Sequence, residues 1–122
     1  MSKQMRVHRE GEFDYQIVWE DSFSMLSSEI KKLNLSFGKI CIVSDQTVSE
    51  LYSSVVQAEL ENLQVPVDLF TFPAGENNKN IETVKDLYEF LICGHYGRND
   101  LLIALGGGVV GDLTGFAAAT YL

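Results

Sequence analysis

Leu101-Leu102-Ile103-Ala104-Leu105-Gly106-Gly107-Gly108-Val109-Val110-Gly111-Asp112-Leu113-Thr114-Gly115-Phe116 is the stretch on which the reading of the fold turns. Its first five residues form an apolar run of strand length, which predicts a strand buried on both faces. Three glycines follow, and then a small-residue apolar segment that predicts a helix to the end of the chain. Gly106, Gly108 and Gly111 have the spacing G-x-G-x-x-G between a strand and a helix, the context in which that pattern carries meaning. Without Cβ atoms such a turn can adopt positive φ, and its peptide N–H groups can approach a phosphate closely. The helix behind it adds the positive end of its dipole. A tight turn with no ligand explains the same three glycines, so the rest of the chain has to decide.

Upstream, Ile81, Val84, Leu87, Tyr88 and Leu91 repeat at helical spacing, with Asn80 as a cap and Gly94 and Gly97 as stops. Pro66 opens a strand over 67–72 whose partial alternation suits a less central position or a wet side. A helix is expected from about Val48 to Leu63, with Val48, Leu51, Tyr52, Val55, Leu60 and Leu63 on one broad face. Lys39 to Ser44 reads as a short buried strand that stops at Asp45. Before it, Phe23, Leu26, Ile30 and Leu33 predict a helix capped by Asp21 or Ser22. At the front, 5–8 and 15–19 predict two short strands around a turn at Gly11, with Tyr15, Ile17 and Trp19 on one apolar face. Strands alternating with helices predict one Rossmann-like, doubly wound α/β domain over residues 1–122. Its sheet is mostly parallel, with helices on both faces and a short extra N-terminal strand.

The chain has 122 residues and a formal net charge of −8. Its length allows one real core, and its charge argues against a nucleic-acid surface, which needs clustered Lys and Arg. Any anionic ligand must then be held by local backbone dipoles and a few cations. Met1-Ser2-Lys3-Gln4 runs into polar residues, so no leader is expected, and no apolar stretch reaches the roughly 20 residues that span a bilayer. Cys41 and Cys93 are expected to be buried free thiols in an intracellular, cytoplasmic protein. His8 and His95 have no partners at ligand spacing, so no metal site is expected within the chain.

In a parallel sheet the C-terminal strand ends share one edge, and ligands bind along it. Three loops are predicted there. The first starts at Asp45, the second is Pro73 to Lys79 and holds Gly75, Glu76, Asn77, Asn78 and Lys79, and the third is Gly106 to Asp112 and holds Gly107, Gly108, Val109, Val110, Gly111 and Asp112. A carboxylate, a Gly-Glu-x-x-Lys and a glycine cradle are what a dinucleotide needs. Asp45 or Glu76 would take ribose hydroxyls, Lys79 ribose or phosphate oxygens, and the glycine amides pyrophosphate. Asp45 is equally a candidate helix N-cap, and Glu76 with Lys79 equally a solvated loop. Spacing alone therefore reaches a nucleotide-binding α/β domain and no reaction.

The run Leu105 to Ala118 resembles the signature of 3-dehydroquinate synthase, one of the sugar phosphate cyclases. Ile42-Val43-Ser44-Asp45 with Thr47 and Val48, Phe72-Pro73-Ala74-Gly75-Glu76 with Lys79, and Arg98-Asn99-Asp100 are similar to that family in the same order. The resemblance implies an N-terminal domain that binds NAD through Asp45, Gly75 to Lys79 and Gly107 to Asp112. It implies conversion of the sugar phosphate 3-deoxy-D-arabino-heptulosonate 7-phosphate to 3-dehydroquinate in the shikimate pathway. The sequence of steps would be oxidation by NAD, loss of phosphate, reduction, ring opening and aldol closure. The family pattern also includes a helical domain that holds zinc or a similar divalent ion, such as cobalt, and it implies a homodimer. None of those metal ligands can be assigned in this chain, which is therefore expected to be the NAD-binding part of a longer enzyme and inactive alone. A relative such as 2-deoxy-scyllo-inosose synthase and a free-standing nucleotide-binding module are the competing readings.

Overall fold

The computed structural model describes residues 3–9 and 12–122. The described elements are β1 (Lys3–Arg9), β2 (Glu12–Trp19), α1 (Leu26–Lys32), β3 (Ile40–Asp45), α2 (Gln46–Leu60), β4 (Val67–Phe72), α3 (Ile81–Cys93), β5 (Leu101–Leu105) and α4 (Gly108–Thr120). Short 3₁₀ turns follow α2 and precede α3.

β3, β4 and β5 form a parallel sheet in the order β4-β3-β5. The chain goes from β3 to one neighbour through α2, then returns past β3 to the other neighbour through α3. The crevice between the ends of β3 and β5 is therefore the point where the winding switches, the usual place for a ligand on such a sheet. Both faces of β3 are covered. Ile40 and Ile42 pack with Ile30, Val56, Leu60 and Leu105 on the side of α1 and α2. Cys41 and Val43 pack with Leu87, Leu91, Val110 and Leu113 on the side of α3 and α4. Alternation of period two, apolar on both sides, is why this strand reads as a continuous apolar run. Full burial of a side chain such as Ile42 or Leu60 contributes roughly 1.5–3 kcal/mol.

Five sequence expectations need correction. The front strands do not extend the parallel sheet; β1 and β2 pair antiparallel as a separate two-stranded sheet. Two residues between strands permit antiparallel pairing, whereas parallel pairing needs a crossover of about a dozen. Its face with Met5, Tyr15 and Trp19 is turned to solvent. The side with Arg6, Gln16 and Val18 borders a cleft of about 560 Å³ against Glu29 and Lys32 of α1. The expected turn at Gly11 lies outside the described residues.

α1 starts at Leu26 and not at Phe23, because Ser22 and Ser24 hydrogen-bond each other and Phe23 only closes a turn to Leu26. Along α2 the buried residues are Ser49, Val56 and Leu60, while Leu51 (65 % exposed), Tyr52 and Val55 point to solvent. The buried stripe is narrower than the apolar composition of that helix suggests, and a polar residue, Ser49, lies within it. β5 is an edge strand and is only partly buried, apart from Leu105. Cys93 is exposed.

Cys41 is buried, and that burial, with the nearby Asp68 charge, pushes its thiol up to about 12. An alkylating reagent is expected to modify one thiol per native chain, Cys93, and two after denaturation; two fast-reacting native thiols would contradict the packing of β3.

At the N-terminal strand ends, Asp100 ties the loops. Its carboxylate accepts N–H bonds from Gly97 (2.8 Å), Gly38 (3.0 Å) and Lys39 (3.1 Å), and these hold it below the usual carboxylate range. Tyr96 beside it is buried and donates to Ile40 O and to Asp68. The Arg98-Asn99-Asp100 segment thus serves the architecture at the edge opposite the candidate site.

Candidate functional site

The third loop is built by a steric requirement. Gly106 has φ +154°, and a Cβ there would lie 2.7 Å from Val110 Cγ2. No side chain fits where the strand folds back onto the first turn of α4. Gly107, Gly108 and Gly111 differ: a Cβ on any of them would meet nothing within 4 Å. Their lack of side chains leaves backbone open to an incoming group, the property a phosphate cradle needs. The first bond of α4 runs from Gly111 N–H to Gly107 O, 3.0 Å. The N–H groups of Gly108, Val109 and Val110 therefore carry no intrahelical bond. They lie at the positive end of a 13-residue helix. Val110 itself is buried in the core, so only its backbone is available to a ligand.

The second loop braces itself. Gly75 takes φ +116°. Asn78 N–H and Lys79 N–H bond to Gly75 O and Glu76 O, both at 3.0 Å. The side-chain amide of Asn80 donates to Asn77 O at 2.8 Å, while its oxygen caps α3 by accepting Thr83 N–H at 2.9 Å. The Asn78 amide turns inward to Ala74 O, 3.4 Å. Asn77 and Asn78 are thus parts of the loop's own scaffold, and Glu76 and Lys79 are its exposed charges.

The structure brings the second and third loops together. α3 and α4 share one face of the sheet, so the loop entering α3 lies beside the first turns of α4. There Lys79 Nζ meets Asp112 Oδ2 at 2.8 Å. The hydrogen bond and charge of Asp112, with a smaller contribution from Glu76, raise the Lys79 pKa above its ordinary 10.5. The pair's contribution is complete below that ordinary value and is lost only as pH climbs through the higher folded one, so it is constant at neutral pH. Removing the charge in Lys79→Met is expected to leave the melting temperature in place, because exposed ion pairs contribute little. Against a dinucleotide it is expected to cost roughly tenfold in affinity, the scale of one charged hydrogen bond. A melt and a titration on the same sample check both.

Asp45 stands apart from that pair. It is the N-cap of α2, and its Oδ1 accepts Val48 N–H at 2.8 Å. The N-cap reading of this residue is what the structure shows; one oxygen caps the helix, and among the described residues Oδ2 has no partner. Asp45 lies on the β3 side of the crevice and the glycine turn on the β5 side. The sequence reading passed over Ser44, whose Oγ donates to Leu105 O at 2.7 Å. A hydroxyl inside a buried apolar run was the available signal, since buried polar groups need partners. Among the described residues no group of three or more His, Cys, Asp or Glu is placed to hold a metal ion. No helix among them is long and apolar enough to cross a membrane.

Solved structures share this fold. One is 2-deoxy-scyllo-inosose synthase complexed with carbaglucose-6-phosphate, NAD+ and Co2+, with a TM-score of 0.76 and 26 % identity, over 99 % of this chain and 32 % of that one. Another is 2-epi-5-epi-valiolone synthase from Streptomyces hygroscopicus subsp. jinggangensis 5008 with NAD+ and Zn2+ bound, with a TM-score of 0.73 and 28 % identity, over 96 % of this chain and 32 % of that one. In its fold the chain is similar to these sugar phosphate cyclases. In sequence it is related to the 3-dehydroquinate synthases: residues 69–122 match the family described as 3-dehydroquinate synthase N-terminal. The 3-dehydroquinate synthase of Streptococcus suis (strain 05ZYH33) is 50 % identical over 84 residues, 69 % of this chain and 24 % of the relative. That of Latilactobacillus sakei subsp. sakei (strain 23K) is 42 % identical over 109 residues, 88 % of this chain and 30 % of the relative. The chain thus spans between about a quarter and a third of the length of these relatives.

Proposed function

We propose that residues 1–122 are the NAD-binding domain of a 3-dehydroquinate synthase, the enzyme that turns 3-deoxy-D-arabino-heptulosonate 7-phosphate into 3-dehydroquinate and phosphate. The observation that carries this is the cradle at the start of α4, where open glycine positions and three N–H groups without an intrahelical bond lie beside the Lys79–Asp112 pair. In this reading the amides of Gly108, Val109 and Val110 bind the pyrophosphate of NAD. Gly107 and Gly111 leave room for it. Asp45 Oδ2 and Glu76 accept from ribose hydroxyls, and Lys79 and Asp112 orient the ribose between loop and helix. Gly75, with Asn77 and Asn78, keeps that loop in shape. When bound, NAD supplies a reversible hydride acceptor for one carbinol of the sugar phosphate. The chain's own share is binding and orientation, and it has no turnover alone.

The divalent metal, zinc or cobalt, belongs in this reading to a separate helical domain of a longer polypeptide. The enzyme acts in the cytoplasm as a homodimer. Identities of 42–50 % to 3-dehydroquinate synthases, against 26–28 % to the two other cyclases, favour this substrate over theirs.

Calorimetric titration with NAD tests the binding reading, and a saturable 1:1 isotherm is expected. Titration with no heat and no protection of the glycine-turn amides would overturn it. Product identification after incubating the complete enzyme with the heptulosonate phosphate tests the reaction.

A further inference from the structure

Ser44 lies at the end of the central strand, fully buried, where the chain otherwise buries only apolar side chains of β3. Its Oγ–H donates to Leu105 O at 2.7 Å, and the same oxygen is 3.2 Å from Asp45 O. Ser44 and Leu105 are register partners across the β3–β5 crevice. Leu105 is the last residue of β5, and its carbonyl belongs to the peptide that enters Gly106. That peptide leads into the turn at Gly106, φ +154°, where an added Cβ would lie 2.7 Å from Val110 Cγ2. The cradle is thus flanked by the Ser44 hydrogen bond before the turn and by the buried Val110 side chain after it. The first three N–H groups of α4 follow directly on this turn.

We propose that Ser44 is a positioning residue: its hydroxyl sets the peptide plane entering the glycine turn and so aims the anion-binding amides. It also joins two parts of the site, because the residue that holds the turn is the immediate neighbour of Asp45. A ligand that engages both the cradle and Asp45 therefore meets two elements whose spacing one hydrogen bond fixes. The affinity part of this inference rests on the NAD reading above; the geometric part does not.

The test uses the 122-residue chain as wild type, Ser44→Ala and Ser44→Thr, the last keeping the hydroxyl in a strand that suits β-branched residues. Amide ¹H–¹⁵N spectra of the ligand-free proteins read the geometry. Ser44→Ala is expected to shift Gly106, Gly107 and Gly108 well beyond Thr71 and Phe72, which lie beside Ser44 on the β4 side. Ser44→Thr is expected to return them towards wild type. Calorimetry is expected to show NAD affinity reduced about tenfold in Ser44→Ala, the scale of one lost buried hydrogen bond, and restored in Ser44→Thr. Equal shifts on the β4 and β5 sides, or no rescue by threonine, would make Ser44 a space-filler and overturn the proposal. If wild type shows no NAD binding, the cofactor reading falls, and the amide spectra alone decide the positioning role.

Discussion

The Gly108→Asp variant is expected to bind NAD at least about 100-fold more weakly than wild type while melting at the same temperature or slightly above it. The two halves of this expectation have separate causes. Position 108 opens α4, and a Cβ there meets nothing within 4 Å, so the folded chain accommodates a larger residue. A carboxylate at the first turn of a helix is favourable by about 0.3–1 kcal/mol through the dipole. The same carboxylate would occupy the space above the first three N–H groups of the helix and present a negative charge to a pyrophosphate. Like charges forced together across an interface cost several kcal/mol, which converts to the stated loss. Calorimetry and a thermal melt on one preparation read both quantities. Wild-type affinity in this variant would remove the glycine turn from the site.

Gly106→Ala is expected to do the reverse, damaging stability first. Its φ of +154° lies where only glycine is comfortable, and its Cβ would stand 2.7 Å from the Cγ2 methyl of Val110. Backbone strain of this kind costs about 1–3 kcal/mol, and overpacking adds a similar amount when the neighbour is held in a core. Val110 is held: it is buried against Leu113 and the α3 side chains. A loss of about 2–4 kcal/mol follows, or roughly 10 °C in melting temperature for a domain of this size. Gly107→Ala is the control, because that residue has ordinary φ and open space around it; it is expected to change stability by less than about 0.5 kcal/mol. Equal melting of the two variants would contradict the need for glycine at position 106 and favour a looser loop.

The contrast between these neighbouring glycines shows what sequence could and could not convey. The string Gly106-Gly107-Gly108 announces a turn and a candidate cradle. It does not say that Gly106 is there for packing while Gly107 and Gly108 are there for access, because that depends on where Val110 points. The sheet was legible to within a residue at β3, β4 and β5, since long apolar runs between turn residues leave few alternatives. Asn80 was read correctly as a cap because its position before an apolar stripe is a local signal. The face of α2 was misread at Leu51, Tyr52 and Val55, because apolar residues surround that helix and only the packing against β3 selects Ser49, Val56 and Leu60. The place of β5 at an edge was equally hidden, since strand order is a property of the whole sheet. The Lys79–Asp112 pair joins residues far apart in sequence, and no spacing rule reaches it. It follows from α3 and α4 lying on the same face.

The outward-facing hairpin has a practical consequence for spectroscopy. Trp19 is the only tryptophan in the chain, and it sits on β2, in the two-stranded sheet, about half exposed. Its emission therefore reports the wetting of the hairpin and not the β3–β5 core. Unfolding followed at that wavelength would track a peripheral sheet, whereas the backbone signal of α2, α3 and α4 follows the nucleotide-binding body. Tyr96, buried against β3 with its hydroxyl held by Ile40 O and Asp68, belongs to that body instead.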